Sequence, residues 1–210
     1  YLYNWNAQVI YPAAVRFTIY VNRPLAEIQQ LTLTIEPEIG NNIVLNVDPA
    51  DNATDNGTYT EVSYLWIITA NDVLPIDSTV EYSWLISTLR DGTAGVPSAF
   101  FYADERATWV EDVDETNQLN FYFPENFVSA ETIRDDISPI YDLMSANTGL
   151  EPSFNLALFT NDFPLNPCEE GRVIDPGSED DIPCSDEVIE ASISIRGYTP
   201  IEIDNRNSNT

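Results

Sequence analysis

Between residues 14 and 21 apolar side chains fall on alternate positions, at Val15, Phe17, Ile19 and Val21. A period of two places all four on one side of an extended chain, so the segment reads as a half-buried strand. Residues 28–35 repeat the pattern with Leu31, Leu33 and Ile35, and residues 41–47 repeat it with Ile43, Leu45 and Val47. Residues 48–57, DPADNATDNG, are nearly all turn formers. Residues 58–69 and 79–88 read as aromatic-rich strands, and residues 98–102 close the set. Short strands at this spacing, with no helical period between them, predict an Ig-like or fibronectin-type β-sandwich over residues 1–110, with Trp66 and Trp84 in its core.

The pattern changes after Trp109. Residues 111–118, with Glu111, Asp112, Asp114 and Glu115, read as an acidic linker. Residues 119–123 are a short apolar strand. A helix follows from an N-cap at Ser129, with Ile133, Ile137, Ile140, Tyr141 and Met144 on one face. Pro139 inside it predicts a kink or a break, because proline lacks an N–H and crowds the preceding turn. Gly149 supplies the stop and residues 154–159 a second strand, which makes a βαβ unit with parallel strands. Residues 188–196 offer Ile189, Ala191, Ile193 and Ile195 as a third strand. The expected fold is therefore mainly β: a sandwich, then a small α+β domain over residues 119–203 that holds the cysteine loop, then a polar tail over residues 204–210.

Charge narrows the partners. The chain has 35 acids against 8 bases, every base is an arginine, histidine is absent, and the formal net charge is -27 at pH 7. Such a chain repels phosphate backbones and anionic lipid surfaces, which argues against nucleic acid. No run of about 18 apolar residues is present, which argues against membrane insertion. A start at Tyr1 rather than Met leads us to expect that a leader or a longer N-terminal region has been removed.

Cys168 and Cys184 share one loop rich in Pro, Gly and acid. No His and no further Cys are present to complete a zinc tetrahedron, so a disulfide is expected, and with it an extracellular or cell-surface location. Closing that loop contributes about 3 kcal/mol in the chain-entropy model. Asn52 and Asn56 begin two N-x-T sequons and are candidate glycan acceptors. Calcium is the one cofactor the composition favours, because two loop clusters, Asp48, Asp51 and Asp55, and Glu179, Asp180 and Asp181, supply hard oxygen ligands. Neither matches the EF-hand loop. Tyr1, Leu2, Tyr3 and Trp5 precede the first expected strand, and form either a cover for their own sandwich or a segment exchanged with another copy.

Catalytic constellations are missing from the chain. A serine triad has no His base and no Lys to replace it. The adjacent carboxylates Asp135-Asp136, Asp180-Asp181 and Glu169-Glu170 read as solvated faces.

Two runs carry a family resemblance: residues 74–86, LPIDSTVEYSWLI, and residues 100–109, FFYADERATW. They resemble the N-terminal non-catalytic region of bacterial surface proteins in the peptidase MA family, zinc metallopeptidases of the gluzincin type. The resemblance covers residues 8–160 loosely and implies an Ig-like domain, then a βαβ segment leading toward an H-E-x-x-H helix. The family's zinc site needs two histidines, and this chain contains none, so no catalytic residue carries over. Two functions are expected from these readings. One is a non-catalytic structural or adhesive surface protein that self-assembles into a filament or surface layer, with copies of itself or other surface proteins as partners. The other is the accessory region of a secreted peptidase MA-type metallopeptidase.

Overall fold

A computed structural model describes residues 2–114, 119–125, 130–150, 153–160, 164–168, 171–177 and 181–203. Its strands take up the alternation seen in the sequence. In chain order they are β1 (Leu2–Ile10), β2 (Ala14–Val21), β3 (Ile28–Glu36), β4 (Ile43–Val47), a one-turn helix α1 (Pro49–Asn52), β5 (Ala53–Asp55), β6 (Thr60–Ile67), β7 (Ser78–Thr88) and β8 (Gly92–Tyr102). Two antiparallel sheets result, ordered β1-β2-β6-β5 and β4-β3-β7-β8. This is an Ig-like β-sandwich, with the ABED arrangement on one sheet and a CFG arrangement extended by one strand on the other. The alternating residues of both sheets meet in one core. There Phe17 packs against Tyr82 and Phe100 at ring separations of 5.0 and 5.7 Å, and Trp84 and Trp66 are both buried. Each side chain of that size contributes about 1.5–3 kcal/mol on full burial.

Two readings of this region need correction. The N-terminal aromatic segment does not precede the first strand but is the first strand, β1, because Trp5, Ala7 and Val9 alternate with Asn4, Asn6 and Gln8 and lay their apolar side on the core. The turn-rich residues 48–57 hold α1 and β5, since Asp48 caps the helix by accepting the Ala50 N–H at 2.9 Å and Pro49 sits at its first turn.

By contacts the chain divides into two compact units. One is Tyr1–Asp104 with Cys168–Val188; the other is Glu105–Pro167 with Ile189–Thr210. The cysteine loop, expected in the second domain, thus belongs with the sandwich. It carries β12 (Arg172–Ile174) and β13 (Asp181–Pro183), which pair with each other.

The second unit is built on a four-stranded sheet ordered β14-β11-β10-β9, from β9 (Trp109–Asp114), β10 (Leu119–Pro124), β11 (Phe154–Thr160) and β14 (Thr199–Ile203). β10 and β11 are parallel, as are β11 and β14, and β9 is the antiparallel edge. Helix α2 (Ala130–Thr148) connects β10 to β11, and its Ile133, Ile137 and Tyr141 pack on Leu119, Phe121 and Leu158. The expected cap Ser129 lies outside the described residues. The helix runs on through Pro139 without a break. Ile140 and Met144, expected on the packed face, are exposed.

Two further differences have local causes. Residues 111–114 of the expected linker belong to β9, where an edge strand tolerates acids. There Asp112 takes the Arg134 guanidinium at 2.6 Å and Glu111 accepts from the Tyr198 hydroxyl. Burial first, then that hydrogen bond and the charge of Glu111, raise the Tyr198 pKa. Residues 188–196 are not a third strand, because α3 (Asp186–Ile195) runs through them. Val188, Ile189, Ser192 and Ile193 are buried, a spacing of four rather than two, and acids at the first turn suit a helix start.

Candidate functional site

The two outer faces of the sandwich are treated differently by the chain. On the β1-β2-β6-β5 sheet, outward-pointing Ile10, Ala14 and Leu65 are covered by Ile182 and Val173 of the cysteine loop, forming a small second core. Cys168 and Cys184 are joined in a disulfide, with Cα atoms 6.1 Å apart, and close this strap. Outward-pointing Arg16 of β2 forms an ion pair with fully buried Asp175 of the strap and donates to Ser63 Oγ at 3.2 Å. Asp175 Oδ1 also accepts the Gly177 N–H at 2.8 Å. Position 177 must be glycine for close approach: a Cβ there would stand 3.0 Å from Arg16 Nε and 3.2 Å from Asp175 Oδ1.

Among the described residues no strap covers the outer face of the β4-β3-β7-β8 sheet. Register puts Thr34 between Val44 and Ser83, and Thr32 between Asn46 and Leu85, with Gly95 beyond Leu85 on β8. Val44, Leu85 and Phe101 stand 61%, 49% and 58% exposed on it. Its only charged strand residues are Glu36 and Glu81, which face each other across β3 and β7. Like charges directly opposite in a ladder destabilise it by several tenths of a kcal/mol. They floor an open hollow of about 610 Å3, walled by Glu38, Asp77 and Phe101. At the other end of the face, the β7–β8 turn is electrically balanced. Arg23 holds Asp91 through contacts of 2.8 and 3.0 Å, and Arg90 reaches Glu27 at 2.9 Å. The hydrogen bond from Arg23 holds the Asp91 carboxyl below its ordinary range.

Several residues singled out in the sequence make local contacts. Asp48 caps α1, and Asp55 accepts the Gly57 and Leu25 N–H groups at 2.8 and 3.3 Å, while Asp51 is exposed. Among the described residues no group of three or more His, Cys, Asp or Glu side chains is placed to hold a metal ion. Glu179 and Asp180 lie outside the described residues, and Asp181 pairs with Arg172 at 2.7 Å. Of the sequons, Asn56 is exposed in a turn, whereas Asn52 is half-buried and its amide donates to the Asp48 carbonyl at 2.9 Å. Leu2 and Trp5 pack on their own core, and Tyr1 lies outside the described residues, as does the side chain of Tyr3. Sequence reasoning missed Arg16, Asp175, Leu85 and Gly95. Only Gly95 carried a local signal, as a lone glycine inside a strand.

No family model matches the chain, and no curated protein matches it in sequence. Among the described residues no helix is long and apolar enough to cross a membrane.

Proposed function

We propose that the chain is a non-catalytic, extracellular module of a bacterial surface protein, structural or adhesive in role, which self-assembles into a filament or surface layer. The observation that carries this reading is the bare face of the β4-β3-β7-β8 sheet. A domain that straps one face and leaves apolar side chains standing on the other has surface to offer a protein partner. The partners are further copies or other surface proteins. The disulfide supports an oxidising compartment. The absence of His and Lys from the chain supports a role without hydrolysis, since the usual bases for an activated nucleophile are lacking. Assays of the purified chain on peptidase, esterase and glycosidase substrates should give no turnover, and electron microscopy of concentrated protein should show ordered polymers. Hydrolysis abolished by one Asp or Glu substitution would overturn the reading.

One observation favours a second reading. β10, α2 and β11 follow one another as parallel strand, helix and strand. This is the order that the resemblance to the peptidase MA family implies. On this reading the chain is the accessory region of a secreted zinc metallopeptidase and positions a catalytic domain supplied further along or in trans. A reading frame that runs past Thr210 into H-E-x-x-H decides for it.

A further inference from the structure

A glycine inside a strand weakens it, and is kept where a bulge, a bend or the close approach of another backbone requires it. Among the described residues Gly95 of β8 meets none of these needs. The β7–β8 register is unbroken from Ser78↔Tyr102 to Thr88↔Gly92. Among the described residues a Cβ at Gly95 would find nothing nearer than the Trp84 carbonyl at 3.9 Å and Leu85 Cδ1 at 4.0 Å, and its φ is not left-handed. The missing side chain leaves a dip on the bare face, directly beside half-exposed Leu85.

We propose that this face is the interface with a second copy of the chain, related by a two-fold axis that lies in the interface and crosses the strands at the Leu85–Gly95 row. The proposal rests on the self-assembling reading and names the surface that it uses. In this arrangement the leucines of the two copies meet over the room left by the two glycines, an isologous contact.

Charge fixes the direction. About four residues from the axis toward one end lie Glu36 and Glu81; the same distance toward the other end lies the β7–β8 turn with Arg90, whose side chain is 72% exposed. A two-fold crossing the strands lays each acidic end over the Arg90 end of the other copy and keeps the acidic ends apart. A parallel overlay would stack Glu36 and Glu81 on themselves. The strand residues between these two ends are uncharged and the β7–β8 turn is balanced, so this overlay keeps the acidic ends of two chains of net charge -27 from meeting. Overlap of about 27 Å along the strands and about 19 Å across four of them, from standard strand spacings, covers about 500 Å2 on each copy. The total, about 1,000 Å2, is the lower limit for a specific interface, which describes a weak, concentration-dependent dimer.

Sedimentation of the full chain across protein and salt concentration tests this. The expected result is a monomer–dimer equilibrium that tightens as salt screens the net charge, and a dissociation constant raised tenfold or more by Gly95→Val and by Arg90→Glu. The Cβ of Gly95→Val meets only ordinary van der Waals contact and valine suits a strand better than glycine, so the melting temperature should hold or rise, which separates interface loss from misfolding. A dimer indifferent to both substitutions overturns the assignment of the face and leaves self-assembly standing. A chain that stays monomeric at millimolar concentration in all salts overturns both.

Discussion

The two outer faces of the sandwich come from the same alternation of residues, yet they end differently. The face with an outward arginine, Arg16, is closed by a strap whose buried Asp175 answers it and whose Ile182 covers Ile10 and Ala14. The face with outward Glu36 and Glu81 is bare, although Val44, Leu85 and Phe101 on it are as apolar as anything under the strap. Hydrophobicity alone therefore does not decide which face the chain covers for itself. On the covered face a partner charge placed far along the chain accompanies the apolar cover, and none of the ion pairs among the described residues involves Glu36 or Glu81.

The sharpest way to break the contrast is Arg16→Leu. It leaves Asp175 buried without its arginine, and should lower the unfolding free energy by about 3–5 kcal/mol in denaturant titrations. Adding Asp175→Leu should restore much of the loss, and a double variant no better than the single would remove the ion pair as the strap's anchor. Replacing Cys168 and Cys184 by Ser should cost about 3 kcal/mol by the loop-entropy model, with protection of the Ile10–Ala14 amides from hydrogen exchange falling before that of the inner core. Gly177→Ala, which presses on an arginine already held in place, should cost about 1 kcal/mol. On the bare face, Leu85→Thr should change stability by only about 0.5 kcal/mol, since half of the side chain already meets solvent and threonine suits a strand. The smallest effect concerns the far end of that face. The Asp91 carboxylate is favoured by Arg23, so its contribution is present above the ordinary carboxylate range and is lost as pH falls through its lowered pKa. Arg23→Gln should move the Asp91 titration upward by NMR, and an unmoved titration would refute that cause.

The sandwich strands were legible because one buried side imposes a period of two, and the expected positions of β2, β3, β4, β6 and β7 fall within two residues of those observed. β1 was equally legible in Trp5, Ala7 and Val9, but its aromatic richness drew attention to exchange instead. For α3, Ile189 and Ile193 satisfy a period of two and a spacing of four alike. Val188 and Ser192 break the tie only once burial is known. The strap left no local trace, because Asp175 and Arg16 are 159 residues apart and either one alone reads as an ordinary surface charge. The acids of the expected calcium clusters were read by type, whereas Asp48 and Asp55 are occupied by backbone N–H groups.

The division of the chain at Asp104 and Cys168 places residues 105–167, the first segment of the second unit, between the sandwich's last strand and its own strap. During synthesis all eight sandwich strands emerge well before residues 168–188. For that interval Ile10, Ala14, Leu65 and the Arg16 guanidinium face solvent on a sheet that is otherwise complete. A nascent sandwich is therefore sticky on the strapped side first, and a chaperone, or a premature partner, would meet a different surface from the one the finished molecule displays. Dissection follows the same logic: a fragment cut at residue 104 reproduces that nascent state, and a faithful isolated sandwich needs the strap spliced back on in place of residues 105–167.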